Sequence, residues 1–131
     1  MNILAIVVAA VVSFVFSWLW YGPVFGKTWM KLSGMTMEDM KSMNMSPAKA
    51  MTLGFISVLI TAYVLSMFMN MLSISETMAA IKIAFWIWLG FAVPIQAGVW
   101  LWEGKSFHLF IFNSAYQLIA YAIIAAALLL V

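Results

Sequence analysis

Four stretches without a charged residue take up most of this 131-residue chain: residues 2–26, 50–72, 83–102 and 106–131. A helix that crosses a bilayer needs about 20 predominantly apolar residues, and each stretch meets that length. The pattern predicts a single-domain, all-α membrane protein with four transmembrane helices arranged as two hairpins. We place the spans at about residues 2–21, 47–72, 74–102 and 107–131.

Composition excludes several classes of soluble protein. Charged residues make up 8% of the chain, against about 25% in soluble domains. There is no cysteine and no arginine, so disulfides, thiolate chemistry and bidentate capture of phosphate are not expected. We predict no cofactor. We also predict no nucleic-acid partner, because the net charge of +2 comes from lysines beside the spans.

The lysines are distributed unevenly between the two ends of the spans. Five lie in or beside the 22–46 connection and the 103–106 turn, whereas Lys82 alone lies at the opposite end. Connections rich in lysine stay on the cytoplasmic side. The sequence therefore predicts an integral membrane protein with both chain termini outside.

The connections carry recognisable helix starts and stops. Gly22 is expected to close the first span in a left-handed conformation, ahead of Pro23. Thr36 and Asp39 resemble a capping box and predict a short interfacial helix over residues 37–45. The third span is expected to start near Ile74, after a capping box formed by Ser73 and Glu76, and to kink at Pro94.

Two similar aromatic segments end the first and third spans, at residues 18–22 and 100–104. They indicate either a duplicated hairpin, giving a parallel internal repeat, or independent use of tryptophan at interfaces and glycine at helix ends. The predicted interfacial motif consists of Trp18, Trp20, Tyr21, Gly22, Pro23, Trp29, Trp100, Trp102, Glu103, Gly104 and His108. For His108 we keep open a structural role and a proton-relay or ligand role.

Polar side chains recur in the lysine-rich half of the spans. Gln96 and Asn113 lie at equal depth when the hairpin folds about residues 104–105, so we expect them to bond directly or through one water. The predicted zone comprises Ser13, Ser17, Ser57, Thr61, Gln96, Asn113 and Gln117. It is either a set of hydrogen bonds between helices or a polar pocket or pore lining.

Small residues form stripes on at least three of the predicted helices, and such stripes let membrane helices approach closely. Four spans offer few interior positions, so we expect a homo-oligomer, a dimer or a trimer. An unidentified membrane partner is the alternative to self-association at these helix faces.

Five methionines crowd the first connection: Met35, Met37, Met40, Met43 and Met45. Thioethers bind Cu(I), so a copper site must be weighed. Methionine is also a flexible apolar filler, and the chain contains twelve. No cysteine is present to assist, so we favour the filler.

The segment Trp18-x-Trp20-Tyr21-Gly22-Pro23-x-Phe25-Gly26-Lys27-x-Trp29-Met30 resembles the opening motif of the bacterial membrane family called domain of unknown function 1761. Asn44-Met45, Trp102-Glu103-Gly104, and Asn113 with Tyr116 fit the same resemblance. The resemblance implies a small four-span membrane protein and no established activity. The methionine-rich connection departs from the more acidic and aliphatic loop expected there.

These observations favour a non-enzymatic, oligomeric channel, small-solute transporter or subunit of a larger complex. The alternative is a structural or accessory subunit without a conduction pathway. A copper-handling protein or a membrane enzyme is less favoured, because an active site needs an acid–base pair, an activated nucleophile or a metal. Only His108 and Glu103 offer such groups near one another.

Overall fold

The computed structural model describes residues 2–42 and 44–131, apart from the side chain of Met40, and these residues contain no strand. The first helix continues into a π-helical turn at Trp20–Val24, and a second π-helical turn, Trp88–Ala92, joins two later helices. The α-helices are α1 (Ile3–Leu19), α2 (Gly26–Ser33), α3 (Met37–Lys41), α4 (Pro47–Met71), α5 (Thr77–Ile87), α6 (Val93–Trp102) and α7 (Phe107–Leu130).

Four helical segments are long and apolar enough to cross a membrane: Ile3–Val24, Pro47–Met71, Thr77–Trp102 and Phe107–Leu130. They contain 22 to 26 residues. At 1.5 Å per residue, each exceeds the roughly 30 Å hydrocarbon layer of a bilayer. The predicted all-α, four-span architecture is confirmed, and it indicates an integral membrane protein. We call the end of the bundle that carries the 22–46 and 103–106 connections the loop side.

Side-chain caps start three of the spans. The Asn2 side chain accepts a hydrogen bond from the backbone N–H of Ala5 at 3.2 Å. Ser46 caps α4 and Ser106 caps α7 in the same way. Each cap satisfies a backbone donor that the first helical turn leaves unpaired.

The seventh helix is the centre of the bundle. It packs against α1 and α5 over most of its length, and it also contacts α2, α4 and α6. The fully buried core residues are mostly alanines, including Ala9, Ala62, Ala80 and Ala125. Since alanine keeps helix backbones close together, this core is narrow. Many larger apolar side chains consequently face outward.

The end of the first span differs from the prediction at Gly22. Its φ and ψ are −111° and −108°, so the predicted left-handed conformation is wrong. The chain instead makes a wider turn, in which the N–H of Phe25 donates to the carbonyl of Trp20 at 3.0 Å. Pro23 has no N–H to continue the ordinary helical ladder. The left-handed glycine is found at the other aromatic segment, at Gly104 (φ 71°). The two predicted repeat ends therefore differ in backbone geometry, and the repeat stays a prediction.

The third span contains a π-helical turn at Trp88–Ala92, shortly ahead of Pro94, and the kink at Pro94 stays a prediction. A proline inside a helix clashes with the carbonyl four residues earlier, and a wider turn relieves that clash. The span starts at Thr77, later than the predicted Ile74, because Ser73 adopts a left-handed conformation (φ 55°) after α4. Glu76 stands at the cap position and makes no side-chain capping bond.

The first connection contains two short helices. Thr36 and Asp39 exchange the predicted capping bonds, at 2.9 and 3.1 Å. The bonds from Thr36 hold the pKa of the Asp39 carboxyl below its ordinary value. The helix that they start was expected over residues 37–45 but ends at Lys41, and its interfacial position stays a prediction. The sequence analysis missed α2 altogether.

Candidate functional site

A cavity of about 170 Å³ lies among α1, α4 and α7, and it opens to the surface of the bundle, where Ser57 is exposed. Four residues of the predicted polar zone line it: Ser13, Ser57, Thr61 and Gln117. They come from three helices, so packing brings together residues that are up to 104 positions apart in the sequence. The remaining walls are Val58, Tyr116, Ala120, Tyr121 and Ile124.

The polar lining of this cavity keeps unused hydrogen-bond acceptors beside the donors of Ser13, Gln117 and Tyr121. Ser57 and Thr61 donate their hydroxyl protons to carbonyls of the preceding helical turn, at 3.0 and 3.2 Å. Their oxygens keep lone pairs for another partner. The buried Oε1 atom of Gln117 has no hydrogen-bond partner among the described residues. The lone pairs left on the Ser57 and Thr61 oxygens suit a molecule that donates hydrogen bonds to the cavity wall.

A second cavity, of about 260 Å³, adjoins the first between α4, α5 and α7. Thr61 and Tyr121 line both cavities. The other walls of the second cavity are apolar, and they include Leu65, Phe68 and Ala84. The second cavity extends along α4 from Thr61 toward Phe68, away from the loop side.

Aromatic rings close the polar cavity on the loop side. Tyr116, a cavity wall, stacks on Phe16 with ring centroids 5.6 Å apart and meets Tyr21 edge-on at 4.9 Å. Trp20 packs against Phe112 of α7 at 5.3 Å. We call these five residues, together with Phe25, the aromatic cluster. Phe25 joins it through Trp20 at 4.6 Å. The sequence analysis placed only Trp20 and Tyr21 in a functional motif.

Two hydrogen bonds reinforce the aromatic cluster. The Tyr21 hydroxyl donates to Oδ1 of Asn113 at 2.7 Å, and the hydroxyls of Ser17 and Tyr116 bond to one another. Asn113 and Ser17, both predicted members of the polar zone, therefore belong to the contact between α1 and α7 beside the cavity.

Gln96 is not brought to the other members of the polar zone. Within the part of the chain that the structure describes, no direct hydrogen bond joins it to Asn113, which uses the Tyr21 hydroxyl instead. The bond through one water stays a prediction. Gln96 is half-buried on α6 and does not line the polar cavity.

Sequence reasoning missed Tyr121 and Trp88. The indole N–H of Trp88 donates to the carbonyl of Ser114 at 2.8 Å and ties the π-helical turn at Trp88–Ala92 to α7. Tyr121 could have been found, since it lies four residues after Gln117 and hence on the same helix face. Trp88 carries no comparable signal, because its partner is a backbone carbonyl.

The predicted interfacial tryptophans separate into groups at the loop side. Trp29 meets Tyr21 edge-on at 6.3 Å, near the aromatic cluster. Trp100 forms a different group with Phe107 and Phe110, at 4.9 and 5.7 Å. Trp18 and Trp102 point outward, 58% and 86% exposed.

The charged and titratable members of that motif are exposed. Glu103 and His108 both lie at the surface of the turn between α6 and α7. An exposed position does not distinguish a structural role of His108 from a proton-relay or ligand role, so both interpretations stay predictions.

The methionine-rich connection is described only in part. Met35 is half-buried, and Met37 and Met45 are exposed. Met43 and the side chain of Met40 lie outside the described residues. The copper interpretation therefore stays a prediction.

Comparisons with known proteins identify a family. Neither the comparison with curated proteins nor that with solved structures gave a match. The family model described as "Protein of unknown function (DUF1761)" matches residues 4–129, nearly the whole chain, and the protein therefore belongs to this family.

Proposed function

We propose that the protein is a non-enzymatic transporter or channel for a small, uncharged, polar solute, which binds in the cavity among α1, α4 and α7. The observation that carries the proposal is the convergence of Ser13, Ser57, Thr61 and Gln117 on that cavity. In hydrocarbon, polar side chains that face a common space are typical of a solute pathway.

The chemistry of the lining supports the choice of an uncharged solute. No charged side chain lies in the described lining of the cavity, and an ion without a countercharge is expensive to hold away from water. The volume of about 170 Å³ corresponds to nearly six water molecules at about 30 Å³ each. The free acceptors favour a solute with O–H or N–H groups, such as water, urea or glycerol.

The surroundings of the cavity support a pathway with one closed end. The aromatic cluster packs on the loop side, whereas the apolar cavity lies on the other side of Thr61 and Tyr121. The wide turn at Trp20–Val24 carries two rings of the cluster. Wide turns of this kind are frequent at functional sites, so we assign the opening motion to this segment.

Solute flux into proteoliposomes tests the proposal. Stopped-flow light scattering should show faster entry of water, urea or glycerol than in protein-free liposomes. Gln117→Leu and Thr61→Val should each lower that flux by about tenfold, the equivalent of one lost hydrogen bond of about 1.4 kcal/mol.

The chain offers a matched control for Thr61. Thr52 makes the same hydroxyl-to-carbonyl bond on the same helix, to Ala48 at 2.9 Å, but it is exposed and lines neither cavity. Thr52→Val should leave the flux unchanged. If Thr61→Val and Thr52→Val behave alike, or if all three solutes enter at the protein-free rate, the proposal fails.

For the cellular setting, we propose the bacterial inner membrane, with the loop side in the cytoplasm and both termini outside. The support is the lysine bias of five to one. Cysteines introduced at Lys41 and Ser75 should react with an impermeant reagent from opposite sides of the membrane. Labelling of position 41 from outside intact cells would contradict this orientation.

An accessory subunit without a pathway is the second candidate, and the outer face of α4 favours it. Only 11% of the most apolar part of α4 is buried, against 28% for the first and fourth spans. Leu53, Ile56 and Ile60 of this face are 45–59% exposed. We propose that this face supports a homodimer or homotrimer. Native mass spectrometry in mild detergent should show it, whereas monomer alone would count against it.

A further inference from the structure

The short helix α2 presents two lysines on one face. Lys27 and Lys31 lie four residues apart and are both exposed, and residues at this spacing share a helix face. Trp29 and Met30 are half-buried, and the helix contacts α7 and the wide turn at Trp20–Val24. The helix therefore rests on the bundle with its lysines directed away from it.

A hydrogen bond brings a third lysine to the same surface. The Ser106 hydroxyl donates to the carbonyl of Leu32 at 3.4 Å and accepts from the N–H of Leu109 at 3.1 Å. Lys31 precedes Leu32, and Lys105 precedes Ser106, so these two exposed lysines flank one contact. The first turn of α7 adds the partial positive charge of a helix N-terminus.

The two ends of the bundle differ in net charge. The loop side carries five lysines against Glu38, Asp39 and Glu103, an excess of two positive charges. The opposite end carries Lys82 against Glu76 and is balanced. The whole net charge of the chain thus lies at the loop side.

We propose that Lys27, Lys31 and Lys105 form a binding surface for the phosphate of anionic phospholipids; we call it the lysine surface. Lysines close to an anionic bilayer surface attract its headgroups. The exposed rings of Trp18 and Trp102 lie at the same end of the spans, and tryptophan settles at the level of the headgroups. The occupant is therefore the bilayer's own lipid.

The test measures lipid retention by the purified protein in mild detergent, so that the orientation of insertion plays no part. Native mass spectrometry with added phosphatidylglycerol or phosphatidylcholine should show tighter binding of the anionic lipid. The combined variant Lys27→Gln, Lys31→Gln, Lys105→Gln should weaken phosphatidylglycerol binding on the order of 100-fold, about fivefold per lysine. Raising the salt concentration should reduce the preference.

Two control variants separate charge from folding. Lys82→Gln removes a lysine at the opposite end and should leave lipid binding unchanged. Replacing all three lysines of the surface by arginine should retain the preference for phosphatidylglycerol. If the glutamine variant binds phosphatidylglycerol as Lys82→Gln does, or the wild type holds both lipids equally, the proposal is overturned. Competition by inorganic phosphate at the lipid concentration would also overturn it, since the surface would then select free phosphate.

Discussion

The contact between the first span, Ile3–Val24, and α7 has two ends of different character. Away from the loop side, Ala5 and Ala9 of α1 belong to the same buried core as Ile124 and Ala125 of α7. At the loop side, rings and hydroxyls meet instead, as in the bond from Tyr21 to Asn113. Small apolar residues make a close, dry contact, whereas rings keep helices further apart and leave room for a cavity. One helix pair can therefore combine a rigid end with an end suited to binding.

Enlarging a side chain at the alanine-rich end of this contact should have the largest effect on stability. Ala9 is fully buried, so Ala9→Leu forces the helices apart and should lower the free energy of unfolding by about 3 kcal/mol. Thermal melting in detergent measures the loss. Ala50→Leu, at an exposed position of α4, is the control. Equal melting temperatures for the two variants would show that the alanine end is not closely packed.

Removing a ring from the aromatic end should have a smaller effect. Trp20→Ala deletes contacts to Phe25 and Phe112 and should destabilise the protein by about 2 kcal/mol, less than a fully buried tryptophan. Trp86 is 62% exposed, so Trp86→Ala should change melting much less. A reversed order of the two losses would contradict the assignment of Trp20 to the bundle interior.

Deleting only the hydroxyl at the aromatic end should have a still smaller effect. Tyr21→Phe leaves the Asn113 acceptor unpaired and should cost about 1 kcal/mol. Tyr63→Phe, at an exposed tyrosine of α4, should be neutral in the same melting experiment. Asn113→Leu should also weaken folding while leaving solute flux intact, because Asn113 does not line the polar cavity. A selective loss of flux would instead extend the pathway to Asn113.

The smallest effect is expected outside the contact, at the cap of α3. Bonds from Thr36 lower the pKa of Asp39, so the capping contribution is present above the ordinary value and is lost as the pH falls through the lowered pKa. The amide resonance of Thr36 should follow this protonation in an NMR titration, with a midpoint below 3.8, the ordinary value. A midpoint at or above that value would show that the cap does not form in solution.

The sequence predicts how deep a residue lies along the bundle better than it predicts which way its side chain faces around the helix axis. The four spans and the Thr36–Asp39 capping pair depend on local residues, and the sequence predicts both. Gln96 and Asn113 were paired because they are equally far from a turn. Each residue turns a helix by about 100°, so side chains at equal depth on α6 and α7 can still face in different directions. Counting residues does not reveal that rotation.

The polar cavity was predicted in part for the same reason. Ser13, Ser57, Thr61 and Gln117 were identified as polar residues in one half of the spans, and four of the seven predicted residues do share a cavity. Which of them meet depends on how three helices pack. The aromatic cluster was largely missed, because aromatic residues are common in apolar spans and their spacing alone does not distinguish a ring contact from a lipid-facing surface.

The bond between Ser17 and Tyr116 joins residues 99 positions apart, which has a consequence for biosynthesis. Until α7 has entered the bilayer, the polar side chains of α1 lack the partners that α7 supplies, and the alanine face lacks its cover. The protein must therefore remain an open, unassembled intermediate for most of its translation. Ribosome stalling before residue 107 would leave a fragment with exposed polar groups in lipid, the kind of species that membrane proteases and insertion chaperones act on.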